Sequence, residues 1–221
     1  MYLSELEEPW DVSIKSLAVP TSIFISISSD TNRITEFERV KSWTVNLGII
    51  GKTALLIREI KSKRLSPDDA LHKFEEILLK KSSYPGWFQL FCKALCSGAV
   101  ALFFGGSIQD AKASFILGSM HALLHGKLAA SDQRAYLADF LTATIVTVAS
   151  LYLSKFTPLN SGLVITCTLI TLVPGLIFVN GIHELSVKNL VSGTARLMEA
   201  LMVGLSLGFG VFVGVQFFKF F

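Results

Sequence analysis

Several groups of side chains in this sequence have the types and spacing to do chemistry. The richest follows Pro174-Gly175, where Asn180, Glu184, Asn189, Gly193, Arg196 and Glu199 succeed one another at the end of a long apolar run. Proline removes a backbone donor and glycine loosens a helix, so Pro174-Gly175 is expected to break that run before it leaves the membrane. Broken helices that set free backbone groups beside charged side chains are how transporters build substrate sites. Glu184 comes four residues after Asn180 and shares its face if the segment is helical. A carboxyl at such depth lines a cavity, pairs with a cation or carries coupling protons; a solvated loop carboxylate beside His183 and Lys188 is the alternative. Arg196 has a fork suited to a carboxylate, whether of Glu184, Glu199 or a substrate, and could equally be a snorkelling anchor.

Three other groups carry weaker signals. His121 and His125 lie four apart and could share a metal, but a zinc site needs three or four ligands and no third has suitable spacing, so they read as interfacial histidines with no metal. Gly48-Ile49-Ile50-Gly51-Lys52-Thr53 resembles a phosphate loop, but Asn46 stands where its first glycine is required and two isoleucines occupy the wrap, so an ordinary helix start is expected. Cys92 and Cys96 are one turn apart in an apolar run and read as packing residues, as does Cys167. No Ser-His-Asp or Cys-His pairing can be argued from spacing, so no enzyme activity and no cofactor are expected.

The elements that position these residues fall into two parts. Of the 37 charged residues, 24 lie before residue 87, and the mean hydropathy of the whole chain is +0.55. That split excludes one soluble globule and a disordered chain, and predicts a mainly α-helical membrane protein: a small cytoplasmic α+β domain over residues 1–84 and a transmembrane helical domain over 85–221. The first 86 residues hold 12 Lys and Arg against 12 Asp and Glu, so no basic stripe argues for nucleic acid. Met1 to Trp10 is acidic and lacks the apolar stretch of a secretory signal.

Within the polar part, Val12-Ser13-Ile14, Ile23 to Ser28 and Ile34 to Val40 show strand-like alternation, the last with charge on one face. Pro20-Thr21 and Ser29-Asp30-Thr31-Asn32 act as turns, which predicts a three-stranded meander. Two helices follow, Leu47 to Lys63 and a second capped by Ser66 and running to Lys81. In the apolar part, five runs predict spans near 87–106, 108–125, 136–154, 159–179 and 197–218. Lys127, Arg134, Lys188 and Arg196 in the short loops, with Lys80 and Lys81, place the N-terminus inside and the C-terminus outside. The last run carries Gly204/Gly208 and Gly210/Gly214, each pair stacked on one helix face for packing within the bundle or, alternatively, a second subunit.

The segment from Leu172 to Leu185, continued by Asn189, Gly193, Arg196 and Glu199, resembles the threonine/serine exporter family: a Pro-Gly, an Asn, an acid four residues on, then Gly and Arg before a Glu-bearing last span. Pro20-Thr21-Ser22-Ile23-Phe24, Val45-Asn46-Leu47, the Leu65 to Leu78 helix, Tyr84-Pro85-Gly86-Trp87, and Phe104-Gly105-Gly106-Ser107 with Asp110 fit the same pattern. Departures are Glu184 for a usual Asp, Asn189 for a common acid and Ile177 for a frequent Pro. The resemblance runs from about Asp11 to the end and implies the family's N-terminal module, without the leading helix signals before Asp11 and without the second five-span module. It implies a subunit of a proton-motive-force-driven secondary transporter, in a bacterial-type inner membrane, that exports threonine and serine or small dicarboxylates. It further implies a second membrane subunit with four or five spans, or a homo-oligomer. The substrate or coupling residues it implies are Pro174, Gly175, Asn180, Glu184, Asn189, Gly193, Arg196 and Glu199. A membrane-anchored regulatory or scaffold protein, whose soluble domain binds a partner, is the rival reading.

Overall fold

A computed structural model describes residues 6–10, 12–19, 22–29, 33–40, 46–63, 65–79, 84–129 and 135–220. The chain divides into two compact units, Met1–Ser83 and Tyr84–Phe221. The first holds helix α1 (Glu7–Trp10), strands β1 (Ser13–Val19), β2 (Ser22–Ser28) and β3 (Arg33–Arg39), and helices α2 (Leu47–Lys63) and α3 (Pro67–Leu79). The strands form an antiparallel meander in the order β1-β2-β3, in which Phe24 lies opposite both Leu17 and Phe37. The Phe24 and Phe37 rings meet at 4.7 Å between centroids, a cross-strand aromatic pair. Charge on β3 is not confined to one face: alternation puts Glu36 and Glu38 on one side and Arg33 and Arg39 on the other. The turns expected at residues 20–21 and 30–32, and Lys80, Lys81 and Arg134, lie outside the described residues.

Helices α2 and α3 begin on side-chain caps. Asn46 Oδ1 accepts from Ile49 N, so α2 is already under way at Leu47 and Gly51 sits inside it; the candidate phosphate loop is helix. Ser66 Oγ accepts from Asp69 N and donates to Asp69 Oδ2, with Pro67 at the first helical position. Leu56, Ile60 and Ala70 are buried between α2 and α3 under Trp10 and Phe74, and Trp10 Nε1 donates to Leu65 O at 3.0 Å.

The second unit is helical: α4 (Gly86–Phe103), α5 (Ile108–Leu128), α6 (Ala135–Ser154), α7 (Ser161–Leu169) continued by a 3-10 turn at Ile170–Leu172, α8 (Gly175–Ser186) and α9 (Leu190–Phe220). Helix α5 packs against α4, α6 and α7, and α9 packs against α6 and α8. Three of the described helices, α4, α6 and α9, are long and apolar enough to cross a membrane. A fourth span is possible if α7 and α8, bent by 59°, form one broken crossing. Helix α5 has 21 residues but is not among them; it carries Asp110, Lys112, His121, His125 and Lys127.

Two expected boundaries are corrected. The run 159–179 is two helices, and the segment 180–196, read as a loop, is nearly all helix. Only Val187 to Asn189 connects α8 to α9, which starts at Leu190 rather than 197. Lys188, Asn189 and Gly193 look like loop residues in sequence but here end one helix, start the next and let the two approach.

One turn fixes one end of this unit. Helix α4 ends in a Schellman motif: Gly106 N donates to Ala101 O, Gly105 N donates to Leu102 O, and Gly105 takes φ +80°. A Cβ at Gly106 would collide with the Leu163 side chain and stand 2.7 Å from Ala101 O. Ser107 then caps α5 in a reciprocal box with Asp110, whose Oδ2 accepts from both Ser107 N and Ser107 Oγ. The second oxygen of Asp110 accepts from Asn160 N at 2.7 Å, and Asn160 caps α7 through Leu163 N. One buried carboxylate therefore ties the starts of α5 and α7 together. Asp110→Ala should cost about 2–3 kcal/mol, read as a lowered unfolding midpoint of the purified chain in detergent. Asp110→Asn, which keeps an acceptor oxygen, should fall between the two.

Candidate functional site

The break expected at Pro174-Gly175 is built by the residues before it. Proline disfavours a helical residue at the preceding position, and Val173 takes φ −58° and ψ 124°. Pro174 follows at φ −80° and ψ 49°, and Gly175 N donates back to Val173 O at 2.8 Å, an inverse γ-turn. Helix α8 restarts with Phe178 N donating to Pro174 O. Val173, Pro174, Gly175 and Phe178 line one side of an open groove of about 750 Å³, with Thr194, Met198 and Gly204 of α9 on the other. Its lining is almost wholly apolar, so the break by itself does not create a polar pocket.

Glu184 and Asn189 come together, in a structural arrangement. Asn189 Nδ2 donates to Glu184 Oε2 at 2.8 Å. Asn189 N donates to Glu184 O, and Lys188 N donates to Leu185 O, which is again the Schellman pattern. Lys188 fills the left-handed position with φ +64°, where glycine is usual. Asn189 O then accepts from Gly193 N and starts α9. Asn180 shares α8 with Glu184 but joins none of these hydrogen bonds.

Gly193 is a crossing point. A Cβ there would stand 2.7 Å from Leu185 Cγ and 2.9 Å from Gly181 O, and one at Gly181 would meet Leu197 at 2.9 Å. Arg196 and Glu199 follow one turn apart on α9, close enough to feel each other's charge. Glu199 also lies within electrostatic range of Tyr136 at the start of α6. Of the glycine pairs in α9, Gly210 and Gly214 press against α6, where Cβ atoms would come within 2.5 Å of Phe140 O and 2.8 Å of Thr147 Cβ, and Thr144 Oγ1 donates to Gly210 O. Gly204 and Gly208 have open space before them.

Polar groups to which the sequence reading gave no interior role lie inside the bundle. Asp110, Ser114, Gly118 and His121 are buried at helical spacing along α5, and Asp139, Thr142, Thr147 and Ser150 along α6. Ser97 of α4 fits against Gly118, where a Cβ would stand 2.6 Å from its Oγ. His125 Nε2 meets Asp139 Oδ1 at 2.8 Å, the histidine side chain 21% exposed and the aspartate 7%.

 Asp139 is thus the buried member of the pair and His125 the partly exposed one. His121, 1% exposed, lies one turn away, with its ring centroid 5.9 Å from that of His125. Neither of its ring nitrogens has a hydrogen-bond partner among the described residues, nor do Ser114 Oγ, Thr168 Oγ1 or Ser192 Oγ. The spacing of 121 and 125 was visible in sequence; that Asp139 meets His125 was not, because it depends on how α6 packs on α5. His121 is thus buried and His125 partly exposed, and among the described residues no group of three or more acids, histidines or cysteines could hold a metal ion.

Gly193→Val should destabilise the α8–α9 hairpin by about 1–3 kcal/mol through overpacking, and Lys188→Gly should stabilise it by about 1 kcal/mol by relieving the left-handed position. Unfolding midpoints of the two purified variants, shifted in opposite directions, check both.

Known proteins similar to this chain agree on its class. No solved structure matches it. Pheromone-regulated membrane protein 10 of Eremothecium gossypii is 27% identical over 214 residues, 94% of this chain and 29% of the relative. The proteins of the same name from Kluyveromyces lactis and Saccharomyces cerevisiae are 27% and 24% identical, over 91% of this chain and 22% and 27% of their own lengths. The chain thus spans less than a third of the curated relatives it matches. Residues 6–218 match the family described as "Putative threonine/serine exporter". With that match over nearly its whole length, this membrane protein belongs to the threonine/serine exporter family.

Proposed function

We propose that this chain is a subunit of a secondary transporter that exports small polar metabolites, threonine and serine or small dicarboxylates, driven by the proton motive force. The observation that carries the reading is the polar seam buried between α4, α5 and α6. Asp110 and Asp139 are paired there, but His121 is buried with no hydrogen-bond partner among the described residues, and ionisable groups kept inside such a bundle mark solute or proton paths. The bend between α7 and α8 supplies an element that can move against its neighbours. Five crossings are counted if α5 spans the bilayer with its polar side turned inward and α7–α8 crosses as one broken segment. The α+β unit is then cytoplasmic and the C-terminus external. Reporter fusions after residues 80 and 221 should give opposite signals, and equal signals would mean an even number of crossings. The other half of the transport path comes from a second membrane subunit or a second copy of this chain.

The transport experiment uses the chain purified in mild detergent as the assembly it forms in its own membrane, with any second subunit retained, in phosphatidylcholine and phosphatidylglycerol vesicles loaded with radiolabelled L-threonine or L-serine. Efflux should rise when a proton gradient is imposed and should fall in Pro174→Ala, which restores a helical donor at the break. No movement of either amino acid, with succinate also inert, would favour the scaffold reading, in which binding by the α+β unit is the activity.

A further inference from the structure

We propose that His121 takes up the coupling proton, and that the His125–Asp139 pair is the station through which this proton exchanges with the membrane surface at the α5 C-terminal end. The inference rests on the exporter reading and names the residues of its coupling step.

Three observations carry it. His121 is 1% exposed, yet both ring nitrogens lack a partner among the described residues. A buried polar group is normally satisfied, so such an imidazole is either costly or in use. Next, His125 and Asp139 form a 2.8 Å pair one helical turn away. His125 is the more exposed partner, so the three groups run from the surface inward. Finally, the rings of His121 and His125 are 5.9 Å apart, within reach of one bridging water.

The charges that reach His121 come from three elements: Lys93 on α4, His125 on α5 and Asp139 on α6. Helix α7, which also packs on α5, brings only Cys167 as a titratable group, and that thiol feels Asp110 at the opposite end of α5. Tyr136 precedes Asp139 by one turn, within range of Glu199 of α9. Burial, His125 and Lys93 oppose a positive imidazole and Asp139 favours one.

The step balances simply. A neutral His121 holds one ring N–H and one lone pair. One proton entering through His125 binds the lone pair, the imidazolium is balanced by the Asp139 carboxylate, and release of one proton restores the neutral ring. Histidine is the side chain whose ordinary titration range suits this role.

The test compares wild type with His121→Gln, which fills the site and cannot titrate, in the same threonine-loaded vesicles. Proton-driven efflux in His121→Gln should fall by about tenfold or more and lose its pH dependence, while threonine–threonine exchange without a gradient stays within about twofold. Unchanged driven efflux with wild-type pH dependence overturns the proposal, as does equal loss of both modes in a variant that is folded and monodisperse. If His121→Gln does not fold, histidine-selective 15N NMR of the wild-type chain in bilayers decides, with His125→Gln used for assignment. The His121 ring should pass from neutral to imidazolium as the pH is lowered, and a ring that stays neutral down to the pH at which the chain unfolds overturns the assignment. Absence of any wild-type amino-acid flux overturns the exporter reading instead, and the NMR titration then decides alone whether His121 takes a proton.

Discussion

A charge taken out of water must meet a partner, and the helical unit is arranged around that requirement. Asp110 satisfies it with Ser107 and the backbone of Asn160, and Asp139 satisfies it with His125. Each meeting joins two elements: α5 to the start of α7, and α5 to α6. Helix α5 is therefore the axis of the unit, held at both ends by a carboxylate. It is also the least apolar of its long helices, which follows from the same cause, since the residues that bind it to its neighbours are polar.

Close packing makes those meetings possible. Ser97 sits against Gly118, Gly210 and Gly214 press on α6, and Gly181 crosses Gly193. Without side chains at these points the helix axes approach closely, which is how helices associate where the hydrophobic effect gives little drive. The two ends of the chain's polar system differ in kind. At the α8–α9 turn, Glu184 and Asn189 satisfy each other near the surface in a tight connection. Inside the bundle, both His121 nitrogens lack a partner among the described residues. The first arrangement holds a shape, and the second leaves a group available.

Much of this was legible in the sequence. The meander, the extent of α2, the Ser66 cap and the break before Gly175 follow from alternation, capping chemistry and the missing donor of proline, all of which are local. The hairpin was not legible, because Lys188 stands in a left-handed position where sequence signals call for glycine, and because Gly193 serves approach rather than flexibility. The polar stripe of α5 was misread for a related reason. A hydropathy run averages around the helix, whereas Asp110, Ser114 and His121 occupy one side of it, and only the packing of α6 shows that Asp139 faces the same interior. The expected site residues thus split: Glu184, Asn189 and Gly193 build the turn, Pro174 and Gly175 build the break, and the buried ionisable groups lie on α5 and α6.

The account stands on that interior being a path for water and solute. Single cysteines placed at Ser114 and Thr168, in a chain whose own three cysteines are replaced by serine, test it directly through their reaction with a membrane-impermeant thiol reagent in sealed vesicles. Both positions are buried and polar, whereas Ile116 on the outer side of α5 is 64% exposed to what would be lipid. The account predicts that cysteines at 114 and 168 react and that one at 116 does not. Reaction at 116 alone, with 114 and 168 silent, would contradict it and leave the polar seam a purely structural one.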